Sequence, residues 1–202
     1  MHKLLTEFFN FLFPPSGKEE LLFKTKLTTL LTLYQPGIFQ NIKYLCPYSK
    51  PIVQAAIIEN KFHHNQLAAQ HLGRILKQWV STQTQKTLYV PIPLGKQRLR
   101  HRGHNQVETI LKTIIDKAHI NNKLLQRRIE TLPQSKLSKT ARQKNLQNAF
   151  QFIPNDTDFL NYSQIVLIDD VLTTGATLHA ARTAITPHLP PNLSLVCLAI
   201  AH

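Results

Sequence analysis

The chain has 202 residues, 43% of them hydrophobic, with 24 Lys and Arg against 11 Asp and Glu, a formal net charge of +13 and a pI near 10.0. That length suits one ordinary domain with at most a small appendage, and the apolar content excludes a chain without a core. So basic a surface excludes indifference to anions: it attracts phosphate, on a nucleotide, on a sugar or along a nucleic-acid backbone.

Residues 4–13 read as a short apolar helix, stopped by Pro14-Pro15 and a Ser-Gly-Lys turn. The Thr- and Leu-rich residues 21–34 fit either helix or strand, and Pro36-Gly37 breaks them. Residues 52–80 read as one or two helices, with Leu72, Ile75, Leu76 and Trp79 on one face and a break within residues 60–65. A short buried strand follows at residues 87–92, ending at Pro93. It runs into a basic loop, LGKQRLRHRGHNQ, and then a helix whose apolar face is Val107, Ile110, Leu111, Ile114, Ile115 and Ala118. Residues 124–126 suit a strand leading into a long polar stretch, 127–148, of a length that usually carries function. A strand at residues 165–168, a helix from Leu178 to about His188 and a strand at residues 194–200 complete the chain. Strands alternating with helices imply an α/β fold whose mainly parallel sheet is flanked by helices.

Two cysteines, Cys46 and Cys197, lie far apart without a C-x-x-C. Neither a disulfide framework nor a zinc site is expected from them, and a cytoplasmic home is. The ten histidines show no ligand spacing. No run of eighteen apolar residues exists, so no membrane insertion is expected. The apolar N-terminus carries Glu7 and lacks a small-residue cleavage site, which argues against a signal peptide.

The most informative stretch is IVLIDDVLTTGAT, residues 165–177. A buried strand runs into two adjacent carboxylates, Asp169 and Asp170, then into a small-residue turn and a helix N-terminus. Exposed backbone N–H groups and the positive end of a helix dipole suit a phosphate there. Thr173, Thr174 and Thr177 supply hydroxyl donors, while Gly175 and Ala176 leave room for the anion to approach. Paired carboxylates suit a polyol or a hydrated Mg²⁺. A Walker B strand would need a G-x-x-x-x-G-K-[ST] elsewhere, and a dinucleotide fold a G-x-G-x-x-G; the chain has neither. A purely structural strand–turn–helix has no need of two acids at its tip.

This pattern resembles the 5-phosphoribosyl-1-pyrophosphate (PRPP) motif of type I phosphoribosyltransferases. The resemblance implies that fold, with a flexible hood or lid. It also assigns the ribose hydroxyls to Asp169 and Asp170 as the catalytic pair, and the 5-phosphate to Thr173, Thr174, Gly175, Ala176 and Thr177. The basic segment would then take pyrophosphate, through Leu94, Gly95, Lys96, Arg98, Arg100 and Arg102: four cations in seven residues directly after a strand. The polar stretch, with Gln134, Ser135, Lys139, Arg142 and Asn145, reads as a lid that closes over the ligand and excludes water.

Three segments in order, VPIPL…RLRHRGHNQ, T-x-P-Q-S-x-L-S-x-x-x-R-x-x-N…AF and VLIDDVLTTGATL, are similar to the ComF/GntX group of competence-associated phosphoribosyltransferase-like proteins. The upstream segments YLCPYSKPIVQAAIIENKFHHNQLAAQHLG and FFNFLFPP resemble that family too. Family members commonly carry a four-cysteine zinc ribbon after the opening; here SGKEELLFKTK stands in its place, so no zinc is expected. The resemblance divides the chain into a helical appendage, residues 1–43, and a phosphoribosyltransferase-like domain, residues 44–202.

It also implies binding of PRPP or ribose 5-phosphate with Mg²⁺, through Asp169 and Asp170. Binding of single-stranded DNA in natural competence follows from it as well, with a competence helicase or the uptake machinery as partner. The other reading is an active Mg²⁺-dependent phosphoribosyltransferase, a pentosyl transferase whose acceptor base or amine the sequence does not name. A PRPP-sensing regulator would need a DNA-reading motif, and none is visible.

Overall fold

The computed structural model describes residues 17–128 and 149–202. The ambiguous stretch after the first proline pair is helical: α1 is Gly17–Lys24 and α2 is Leu27–Thr32. Threonine resists helix through its branched β-carbon. Here Thr25 and Thr32 donate their hydroxyls back to the carbonyls of Leu21 and Thr29, which satisfies them locally.

Strands β1 (Gly37–Phe39) and β2 (Ile42–Cys46) form an antiparallel hairpin over Gln40 and Asn41, both left-handed at φ 49° and 60°. The sequence predicts no strands here, because three and five residues are too short to show a period. Helices α3 (Pro51–His63) and α4 (Gln66–Val80) follow, and their break lies inside the predicted interval. His64 ends α3 in the left-handed region at φ 51°, and the Asn65 side chain caps α4 by accepting from the Ala68 amide.

β3 (Thr87–Pro91), β6 (Gln164–Val171) and β7 (Ser194–Ala201) complete a mixed five-stranded sheet of order β1-β2-β7-β6-β3. The pairs β2–β7, β7–β6 and β6–β3 are parallel. β4 (Leu125–Arg127) and β5 (Phe150–Phe152) form a separate antiparallel pair at the ends of the long polar stretch.

Two further features differ from expectation. The basic segment after β3 is a helix, α5 (Lys96–Arg102), rather than a loop. The next helix, α6 (Gln106–Leu111), is shorter than its apolar pattern suggests, and a 3₁₀ turn at Lys117–His119 follows. Close packing against α4 accompanies that early end. A Cβ at Gly73 of α4 would overlap the Thr113 hydroxyl, which itself donates to the Ile110 carbonyl.

The core has two layers. Val166 and Ile168 of β6 point into a cluster with Ile57, Leu72, Leu76, Trp79, Ile110 and Leu111 of α3, α4 and α6. Ile165 and Leu167 point to the other face, against Leu178, Ala181 and Ile185 of the last helix, α7 (Ala176–Ile185). This is the period-two alternation of a strand buried on both faces. Each such Leu or Ile contributes about 1.5–3 kcal/mol on leaving water, so β6 is clamped from both sides up to its last residues.

Candidate functional site

β6 does not stop at Ile168, where the apolar run ends. Its ladder continues, pairing Asp169 with Ala199 and Val171 with Ala201, so both acids are strand residues at the carboxyl edge. The alternation that sends Val166 and Ile168 toward α3 and α6 carries Asp170 the same way. There Lys61 of α3 meets it, Nζ to Oδ2 at 2.9 Å, and the Gln106 side chain donates to the same oxygen at 3.3 Å. Asp170 is only 5% exposed, so these two partners account for much of its surroundings. Asp169 accepts the Asp170 backbone N–H at 2.9 Å. Burial, and then repulsion from Asp170, push the Asp169 carboxyl up to about 7. The pair thus holds one neutralised carboxylate and one reluctant to ionise.

After Leu172, Thr173 and Thr174 are exposed and Gly175 turns the chain at φ 70°, a conformation open to glycine. α7 begins at Ala176 with no side-chain cap. Asn65 and Asn105 cap α4 and α6, whereas the first N–H groups of α7 are left to whatever sits before the turn. Thr177 and Ala176 are half-buried in its first turn. A Cβ at Gly175 would stand 2.8 Å from Ile42 Cδ1 and 3.4 Å from Gln40 Oε1. The β1–β2 hairpin therefore backs the turn, and Gln40 is a neighbour the sequence reading did not include.

α5 starts after Leu94 and Gly95, one strand away. The Ile92 amide donates to the Ile168 carbonyl at 2.9 Å and the Asn105 side chain donates to the Ile92 carbonyl at 2.9 Å, which ties the segment to the same edge. Lys96, Arg98 and Arg100 are exposed, and α5 buries no residue. Only Arg102, just before the left-handed Gly103 (φ 73°), turns toward the acids. Its Nη1 donates to Gln106 Oε1 at 3.2 Å, and its guanidinium lies 5.2 Å from the centre of the Phe62 ring. Burial lowers the Arg102 pKa, while the charges of Asp170 and Asp169 raise it. Arg102, Gln106, Asp170 and Lys61 thus form one polar chain, and the other three cations stay on the surface.

Gln134, Ser135, Lys139, Arg142 and Asn145 lie outside the described residues. No motif in the sequence alone marks Lys61, Asn60 and Gln106 as site residues. Their one signal was position: Lys61 and Asn60 stand at the predicted helix break, and Gln106 closes the basic segment. The Asn60 side chain donates to the Gln106 carbonyl at 2.9 Å, and a His104 ring nitrogen lies 2.7 Å from the Asn60 carbonyl. Those contacts stitch the end of α3 to the start of α6.

A groove of about 1360 Å³ runs between α4 and α6 and takes in Leu94 and Leu99 of the basic segment, with Gln70, Arg74, Lys77 and Thr109 in its wall. Neither acid nor any threonine of the turn lines it, so its volume does not mark this chemistry. Cys46 and Cys197 are buried, and burial pushes their thiols up to about 12 and about 11, so neither is a ready nucleophile. Among the described residues no three His, Cys, Asp or Glu side chains converge as a metal site. Two carboxylates, one of them already ion-paired, give a divalent ion only a weak hold on their own; its remaining ligands would have to come from water or from a phosphorylated molecule. Among the described residues no helix is long and apolar enough to cross a membrane.

No family model matches the chain. It is 36% identical to Competence protein F of Haemophilus influenzae over 93 residues, 45% of this chain and 40% of that protein. It is 39% identical to Competence protein ComFC of Bacillus subtilis over 92 residues, 46% of this chain and 35% of that protein. The matched part thus spans well under half the length of each of these curated relatives. These homologues, at 36–39% identity over somewhat less than half of the chain, support its place in the ComF family.

Proposed function

We propose that the chain is a phosphoribosyltransferase-like protein that binds the ribose 5-phosphate part of PRPP at the β6–α7 turn and serves competence, contacting single-stranded DNA in its uptake. One observation carries the reading: two adjacent carboxylates stand at the end of a parallel strand, directly before a glycine turn into a helix whose N-terminus no side chain caps. A phosphate at that N-terminus gains the free N–H groups and the dipole. The diol beside it faces carboxylate acceptors. The type I phosphoribosyltransferase fold belongs to this proposal, supported by the parallel strands and by the turn.

Mg²⁺, when carried in on the pyrophosphate, supplies charge neutralisation. The chain's own part is to orient the sugar with Asp169 and Asp170 and to receive phosphate oxygens at the turn. The exposed Lys96, Arg98 and Arg100 suit backbone phosphates of a single strand. The competence role rests on the names of the two relatives. Arg102, held beside the acids, favours a second reading in which pyrophosphate leaves during turnover with an acceptor base or amine.

The test is a calorimetric titration with Mg²⁺-PRPP and with a short oligonucleotide, each repeated in the presence of the other. Binding of both with mutual exclusion is expected. Failure of PRPP to bind, or a variant Asp170→Asn that binds it as the parent does, overturns the assignment. Release of pyrophosphate with added bases would promote the second reading.

A further inference from the structure

The Lys61–Asp170 pair belongs to no motif, yet it occupies an acid that the proposed ligand needs. Lys61 sits in the last turn of α3, where the dipole favours a cation. Its backbone is placed independently of Asp170, since the neighbouring Asn60 is bound to the Gln106 carbonyl and, through its own carbonyl, to His104. The Lys61 side chain is 21% exposed against 8% for Asp170, so the lysine is the more accessible member of the pair. A bare divalent cation approaching Asp170 meets an ammonium already on Oδ2, at 2.9 Å. An anionic phosphate meets the opposite situation: a cation on a flexible stem that can follow it.

We propose that Lys61 is a positioning residue that acts as an exchangeable counter-ion. In the empty protein it holds Asp170 and keeps free divalent cations out. When a phosphorylated sugar binds, it passes from Asp170 to a phosphate oxygen and releases the carboxylate to the sugar hydroxyls. The second half rests on the ribose-phosphate reading; the first half does not. Gln106 stays on Asp170 in both states, so the carboxylate keeps one donor while Lys61 moves.

The experiment is a Mn²⁺ titration of the whole chain followed by electron paramagnetic resonance, without phosphate. Lys61→Met should bind Mn²⁺ at least tenfold more tightly than the parent, and the conservative Lys61→Arg should behave as the parent. Equal affinity in Lys61→Met and parent, or Lys61→Arg as tight as Lys61→Met, overturns the proposal. Because Lys61→Met leaves a buried acid short of a partner, Asp170→Asn is titrated in parallel with inorganic pyrophosphate. Freed from its acid, Lys61 should raise that affinity severalfold; unchanged or weaker binding overturns the proposal even where Lys61→Met does not fold. If the Mn²⁺ contrast holds but Mg²⁺-PRPP fails to bind the parent, the counter-ion role stands and the ribose-phosphate reading falls.

Discussion

α7 and α5 both leave the carboxyl edge of the sheet after a glycine, from the neighbouring strands β6 and β3, yet α7 buries Leu178, Ala180, Ala181 and Ile185 while α5 buries nothing. The helix that follows the acids is nailed to the core. The helix that carries the cations is held by its two ends and by Arg102. A preformed turn beside an adjustable cationic arm is a sensible division for a site that meets phosphates of different lengths, because shape is needed where the sugar sits and reach where the charge trails away.

The contrast is open to direct attack. Leu178→Ala should cost about 3 kcal/mol in a urea melt, since the side chain is 1% exposed. Leu99→Ala, at 45% exposure in α5, should stay within about 0.5 kcal/mol. Equal losses would break the comparison at once. A smaller effect separates the two glycines in the left-handed region. Gly175→Ala combines backbone strain with a Cβ 2.8 Å from Ile42, whereas Gly103→Ala meets nothing within 4 Å. We expect about 2 kcal/mol for the first and about 1 kcal/mol for the second.

The pH dependence of stability sharpens the same point. The Asp169 carboxyl is raised to about 7, so the folded state prefers its protonated form. Its contribution is full below the usual carboxylate range and is lost as pH rises toward about 7. Asp169→Asn keeps the oxygen that accepts from the Asp170 amide and abolishes that decline. Urea midpoints of variant and parent should therefore diverge between about pH 4.5 and about pH 8, with the variant relatively more stable at the upper end. The smallest stability effect belongs to Arg98→Glu with Arg100→Glu, within about 0.5 kcal/mol. The same double variant should flatten the salt dependence of oligonucleotide binding.

Much of the scaffold was legible because its signals are local. The apolar run of β6, the spacing of Leu72, Ile75, Leu76 and Trp79, and the turn into α7 each lie within a few residues of one another. The β1–β2 hairpin was not, since a three-residue strand has no period and the parallel partner of β2, β7, lies at the far end of the chain. α5 reads as a loop in the sequence because four cations leave Leu99 alone to suggest a face. Lys61 was hidden for a different reason: its importance depends on meeting Asp170 across the fold, and pairings of that range leave no mark in spacing. Asp169 and Asp170 stood out as neighbours in the chain, but their inequality appears only once one of them finds a lysine.

The two layers of the core carry one more consequence. α6 follows β3 onto one face of the sheet and α7 follows β6 onto the other, so the chain divides between two adjacent strands, the kind of switch point at which open α/β sheets offer a ligand a crevice. A ligand wedged in that crevice would touch both layers at once, although elsewhere they communicate chiefly through the sheet. It would act as a rivet: loading the site should bring the melting of the two halves into step as well as raise the midpoint.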